Sequence, residues 1–288
     1  IRVLFFLLLF QESMTTYQKS VFPSAAVWKD SALVENFLGR VRRGMPLAEA
    51  QFDVMMRVIE GRGQPVNAFL DLGCGDGILA SAILSEYPDA TGVLVDFSMP
   101  MIQAAIANLK SYGKRIHFST VDYADPNWFG TVAAHGPYDA IVSGFSIHHH
   151  SDRVKQQIYR DVFDLLGPGG VFVNMEHVRS ASQWLEAVHD DFFIDSLWAS
   201  QVGRADPSAG SGDVLSLSKG QRSESRAQVA AAYHSRDDKA ANILAPVESQ
   251  CHWLRQIGFQ DVDCYFKAFE LALFGGRKPP QKSIHDFD

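Results

Sequence analysis

The chain is poor in cysteine. Its 288 residues include three, Cys74, Cys251 and Cys264, too few and too scattered for a disulfide framework or a cysteine zinc site, so a reducing cytoplasm is the expected compartment. Positive charge is also in short supply: 26 Lys and Arg against 33 Asp and Glu leave a formal net charge of -7. That balance removes any general electrostatic pull toward nucleic acid or an anionic membrane surface. Long apolar runs are missing as well, because the strongest one, Ile1 to Phe10, is too short to cross a bilayer. Residues 1–13 are expected to be a non-native or disordered leader, since the chain does not begin with Met and a more ordinary polar stretch opens at Met14. Small molecules remain as the default partners, with neither nucleic acid nor membrane expected, and a homodimer is allowed.

What is present suits a globular α/β protein. Hydrophobic residues make up 47% and charged residues 20% of the chain, ordinary values for a chain long enough to bury a sizeable core. The organising stretch is Ala68-Phe-Leu-Asp-Leu-Gly-Cys-Gly-Asp-Gly-Ile78. A short apolar run meets Asp71 and then Gly73, Gly75 and Gly77 at alternate positions, which reads as a buried strand, a turn whose backbone can approach a ligand closely, and a helix from Ile78 to Glu86. A dinucleotide fingerprint needs Gly-x-Gly-x-x-Gly facing a pyrophosphate. Here the spacing differs, and the acid ahead of the loop repels phosphate but suits an ammonium group.

The same strand-then-helix rhythm continues. A second strand, Thr91 to Asp96, delivers an acid to its C-terminal end, followed by Phe97, Ser98 and a helix opened by Pro100. A carboxylate there can accept hydrogen bonds from both hydroxyls of a ribose; the plainer alternative is that Asp96 only caps the following helix. A third strand ends near Ile116 to Asp125 and carries Asp122 and Tyr123. A fourth, Tyr138 to Ile147, passes Gly144 and leads into His148-His-His150, a run expected to form a partly exposed loop. The helix after it, with an apolar stripe of Val154, Ile158, Val162, Leu165 and Leu166, should stop at Gly167-Pro-Gly-Gly170, and a fifth strand, Val171 to Met175, delivers Glu176 and His177. Alternating strands and helices imply a doubly wound parallel sheet whose ligands bind outside the C-terminal strand ends, where these acids and histidines converge. Helices are then expected over 182–198 and 226–243, and a closing helix from Val247 to Ile257 with a strand pair, Val262 to Phe266 and Glu270 to Phe274.

Asp71 to Gly77 matches in full the Asp-x-Gly-x-Gly-x-Gly first motif of the class I S-adenosylmethionine-dependent methyltransferases, and the chain resembles that family over roughly residues 40–276, apart from a Ser- and Gly-rich insertion. The resemblance implies a Rossmann-like, doubly wound, mostly parallel seven-stranded sheet with a helical cap, and S-adenosyl-L-methionine as cofactor. It implies that Asp71, Gly73, Gly75, Phe97 and Gly144 border the cofactor, that Asp96 holds its ribose, and that Asp122 accepts the adenine amine while Tyr123 packs on the ring. A weaker likeness to the carboxy-S-adenosylmethionine synthase group rests on Arg43-Gly-Met-Pro46 and on the Trp253 to Val262 segment, and adds Arg43 as a cofactor contact. That group also uses a cap arginine to hold a carboxylate; Arg236 and Lys239 are the nearest candidates, at a different spacing.

The expected organisation is a helical N-terminal cap (14–60), a cofactor-binding core (61–177), a second helical cap (178–245) with a flexible insertion (205–225), a closing helix and strand pair (246–276) and a tail (277–288). Methyl transfer from a sulfonium is an in-line displacement that asks for positioning, exclusion of water and, for an acidic acceptor, a base. No metal is required. His148 and Glu176, at the ends of neighbouring strands, are the candidate bases, and Phe145 could wall the sulfonium by a cation–π contact. The expected function is methyl transfer to a small-molecule acceptor. The alternatives are a transferase that modifies S-adenosylmethionine itself and a non-catalytic S-adenosylmethionine-binding protein.

Overall fold

A computed structural model describes residues 25–201 and 224–281. The expected leader, most of the expected insertion and most of the tail lie outside the described residues. Seven strands form one sheet in the order β3-β2-β1-β4-β5-β7-β6. β1 (Ala68–Leu72) lies at the centre, parallel to β2 (Thr91–Asp96) and β4 (Tyr138–Gly144). β3 (Ile116–Thr120) extends one wing, and β5 (Leu166–His177) carries the other to the antiparallel pair β7 (Leu271–Arg277) and β6 (Gln260–Ala268). The strand order reverses between β1 and β4, which places the crevice for a ligand at their C-terminal ends.

Alternation along the strands separates two cores. Leu70, Leu72, Val93, Val95 and Ile141 face one side and pack with Ile158, Val162 and Leu165 of helix Asp152–Leu165. Phe69, Leu94, Ala140 and Val142 face the other, against Met55 and Ile59 of helix Ala48–Glu60 and Leu79, Ala80 and Ile83 of helix Ile78–Glu86. Successive strand side chains point to opposite faces, so a run apolar at both parities is required wherever helices cover both sides. Each large side chain buried this way contributes about 1.5–3 kcal/mol. The packing leaves little slack: a Cβ at Gly92 would lie 2.3 Å from the Phe69 ring.

Three local expectations change. Helix Asp152–Leu165 does end before the Gly-Pro-Gly-Gly run, but that run joins β5, because the Gly169 N–H donates to the Lys278 carbonyl at 3.0 Å and the Lys278 N–H to Gly170 at 2.8 Å. The apolar stripe of this helix admits Lys155, which is fully buried with its Nζ donating to the Ile243 carbonyl, while Val154 is only partly buried. The expected helix over 226–243 breaks into helix Arg226–His234 and a 3-10 turn, Asp237–Ala241. The segment after the break is pinned to the histidine run: the Ile243 N–H donates to the His148 carbonyl at 2.9 Å, and His149 Nδ1 lies 3.3 Å from the Ala241 carbonyl. Among the described residues no helix is long and apolar enough to cross a membrane.

Candidate active site

The site begins with the turn after β1. Gly73 (φ 65°) and Gly75 (φ 55°) both adopt the left-handed conformation, and a Cβ on Gly73 would fall 1.8 Å from Ser146 Oγ. Only glycine fits there without displacing the β4 side of the site. The turn is held by β2, since the Gly73 and Cys74 N–H groups both donate to the Val95 carbonyl, at 2.8 and 3.0 Å. Asp96 braces it from the side, one oxygen accepting from Gly75 N–H at 3.0 Å and the other from Ser98 N–H at 2.8 Å. Capping of the next helix, Met99–Asn108, falls to Ser98 and not to Asp96. Asp96 therefore keeps its carboxylate at the pocket, and burial pushes its pKa up to about 6 against the pull of those backbone donors.

The opposite wall comes from β4 and β5. Phe145, just past β4, has φ 50° and donates its N–H to the Met175 carbonyl at 2.7 Å. A bulky residue in this conformation costs about 1–3 kcal/mol and is held only by its surroundings. The turn Ile147–His149 follows, and the expected partly exposed loop is instead buried at all three histidines. His148 Nδ1 lies 2.5 Å from Glu176 Oε1. Glu176 is completely buried and also meets the Asn174 amide at 3.3 Å and the His177 N–H at 3.1 Å. Burial raises the Glu176 carboxyl to about 7 and holds His148 well below its ordinary value, so the resting imidazole is neutral. Burial likewise lowers His149 to about 3, and its ring is a structural tie to the cap.

Of the residues expected at the site, Asp71, Gly73, Gly75, Asp96, Phe97, Gly144 and His148 line one pocket over the C-terminal ends of β1, β2, β4 and β5. Four do not line it. Arg43 is exposed in the turn Arg42–Gly44, while its neighbours Val41 and Met45 face the pocket. Asp122 closes a local turn by accepting from Ala124 N–H at 2.9 Å. Tyr123 is buried behind the glycine turn, its hydroxyl bonded to Ser146 Oγ. Glu176 sits behind His148. Trp28, outside the expected set, also lines the pocket, its ring packed with Phe37 and Phe97. Its backbone carbonyl accepts from Ser98 Oγ at 2.6 Å, and its buried Nε1–H has no hydrogen-bond partner among the described residues. The signal was a Trp amid polar residues ahead of the first motif. The cap end of the pocket adds His177, His189, Tyr233, Arg236, Lys239 and Asn242.

Known proteins carry the same core. Residues 69–170 match the family model described as a methyltransferase domain, the stretch that holds the glycine turn, Asp96 and the histidine run. This is a class I S-adenosylmethionine-dependent methyltransferase domain. S-adenosylmethionine is its cofactor, and the buried Asp96 carboxylate beside a glycine cradle fits a ribose.

Two curated relatives show different spans. The demethylmenaquinone methyltransferase of Leptospira interrogans is 28% identical over 143 residues, 49% of this chain and 55% of its own. The carboxy-S-adenosyl-L-methionine synthase of Desulfotalea psychrophila is 21% identical over 274 residues, 92% of this chain and 99% of its own. The chain thus spans about half the length of relatives of the first kind. Among solved structures, human N-acetylserotonin methyltransferase in complex with S-adenosylmethionine has a TM-score of 0.52 at 14% identity, covering 88% of this chain and 58% of that one. At that identity the likeness speaks for the fold.

Proposed function

We propose that the protein transfers a methyl group from S-adenosylmethionine to an acidic group, such as a hydroxyl, on a small and partly apolar acceptor. The observation that carries this reading is the buried His148–Glu176 pair, 2.5 Å apart, with His148 at the pocket wall. S-adenosylmethionine supplies an electrophilic methyl group. Glu176 accepts from His148 Nδ1–H and so leaves Nε2 with a lone pair to take the acceptor's proton. The buried carboxylate then offsets the imidazolium charge, in the manner of a base oriented by a third group. Aromatic and apolar groups, among them Phe145, Phe193 and Tyr233, line the rest of the pocket, which supports a small acceptor over a polymer. Asp96 and Trp28 serve the cofactor end, through the ribose hydroxyls and by covering the site. The test is a screen of small hydroxylated compounds with methyl-labelled cofactor, followed by His148→Ala and Glu176→Gln. Label reaching RNA but not small molecules would overturn the substrate class.

A second reading is a transferase that modifies S-adenosylmethionine itself, favoured by the nearly full-length likeness to carboxy-S-adenosyl-L-methionine synthase. Against it, the cap cations at the pocket are already engaged. Arg236 pairs with Asp238, and Lys239 Nζ lies 3.0 Å from Asp190 while stacking over Tyr233 at 4.0 Å. A cation held this way must give up a carboxylate before it can hold one on a substrate.

A further inference from the structure

At the cap end of the pocket three segments far apart in sequence bring together two imidazoles and a carboxylate. His177 ends β5, Glu270 occupies the turn between β6 and β7, and His189 projects from helix Gln183–Gln201. His177 Nε2 lies 2.6 Å and His189 Nε2 3.8 Å from Glu270 Oε2, and one donor atom from each residue lies within 4.8 Å of the others. We propose that His177, His189 and Glu270 bind a divalent transition-metal ion of the Zn²⁺ type.

Ligand bonds of about 2.0–2.2 Å around a tetrahedral ion put donor atoms roughly 3.4 Å apart. The observed separations of 2.6 and 3.8 Å bracket that value, and the two imidazole donors lie within 4.8 Å of each other. The chemistry of the donors agrees. Two imidazoles and one carboxylate are a borderline set that prefers Zn²⁺ and its neighbours to Mg²⁺ or Ca²⁺.

One observation goes beyond a hydrogen-bonded His–Glu pair: His189 is 1% exposed and turns its Nε2 toward the same Glu270 oxygen that His177 Nε2 meets, so both imidazoles converge on Oε2. Outer support is also in reach, since the Asn242 amide lies 3.3 Å from His177 Nδ1 and, with its oxygen turned to that atom, would accept from Nδ1–H and leave Nε2 for the ion. His177 and His189 both line the pocket, so a three-ligand site leaves its open position toward the acceptor. The His148 and His177 rings are 5.7 Å apart, which puts the ion beside the candidate base, where it would orient an acceptor oxygen.

The ion's role beside the base rests on the methyl-transfer reading, but its binding does not and is tested without turnover. Chelator-treated full-length protein is titrated with Zn²⁺ by calorimetry and with Co²⁺ by visible absorption. One equivalent should bind, with the intense absorption of a four- or five-coordinate ion and a raised Tm. His189→Ala and Glu270→Gln should each weaken binding by more than about tenfold. His117→Ala should not, although His117 stacks on His135 in an exposed pair 4.5 Å apart. S-adenosylhomocysteine binding, read in parallel, shows that each variant is folded. Absence of stoichiometric binding by the native protein, a weak six-coordinate Co²⁺ spectrum, or unchanged affinity in both ligand variants would overturn the site whatever the cofactor does.

Discussion

Replacing Asp96 by Asn separates what this carboxylate costs the fold from what it does for the cofactor. Its pKa is raised in the folded protein from an ordinary 3.8 to about 6, chiefly by burial. The folded state therefore binds the proton more tightly than the unfolded chain, and the sign follows. Asp96 costs nothing well below pH 3.8, the penalty grows as pH rises from 3.8 to about 6, and above that it is constant. The full gap corresponds to about 3 kcal/mol at pH 7. Asn removes the charge but offers one acceptor oxygen where Asp96 serves the Gly75 and Ser98 N–H groups, a loss of about 1 kcal/mol. Asp96→Asn should thus be more stable than the native protein by about 2 kcal/mol at pH 7, an advantage that vanishes toward pH 4.

Cofactor binding should move the opposite way. An ionised carboxylate accepting from two ribose hydroxyls contributes about 2–3 kcal/mol, so the variant should bind S-adenosylhomocysteine roughly 30- to 150-fold more weakly at pH 7. In the native protein the affinity should climb with pH up to about 6 and then level off. Urea denaturation at pH 4, 5.5 and 7, paired with calorimetry at each pH, measures both effects. Destabilisation by Asn at pH 7 would refute the burial argument, and unchanged affinity would refute the ribose assignment.

Loss of the base should be visible in turnover alone: His148→Ala and Glu176→Gln are each expected to reduce kcat by about 10²- to 10⁴-fold with S-adenosylhomocysteine affinity preserved, and full activity in both would place the base elsewhere. Gly73→Ala, whose Cβ would meet Ser146 Oγ at 1.8 Å in a left-handed backbone, should abolish cofactor binding and cost about 1–3 kcal/mol or more in thermal unfolding. Ser98→Ala removes both the N-cap of helix Met99–Asn108 and the bond to the Trp28 carbonyl; a loss of about 1–2 kcal/mol is expected, together with faster proteolysis of the N-terminal cap. Trp28→Phe keeps the ring but deletes the buried Nε1–H, and should weaken S-adenosylhomocysteine by less than about tenfold while Trp28→Ala weakens it further.

Local sequence signals were enough for the sheet and for several residues that line the pocket at its edge. Strands apolar at both parities, helices with one apolar face and three glycines behind Asp71 are local signals, and a parallel sheet brings the ends of such strands to one edge whatever the loops do. Asp71, Asp96, Gly144 and His148 were legible on that basis, as was the antiparallel closing pair. Tertiary structure alone decided which neighbours those ends acquired. His148 and Glu176, or His177, Glu270 and His189, lie on separate elements, and no periodicity within one element encodes their distances. The burial of the histidine run depended on the segment around Ala241 and Ile243 folding back over it. The same limit applies to Arg43 and Tyr123, which motif position suggested and which do not line the pocket, since position along the chain does not say whether a side chain faces the crevice, the solvent or the core behind it. That is decided by which surface the rest of the chain leaves to be covered.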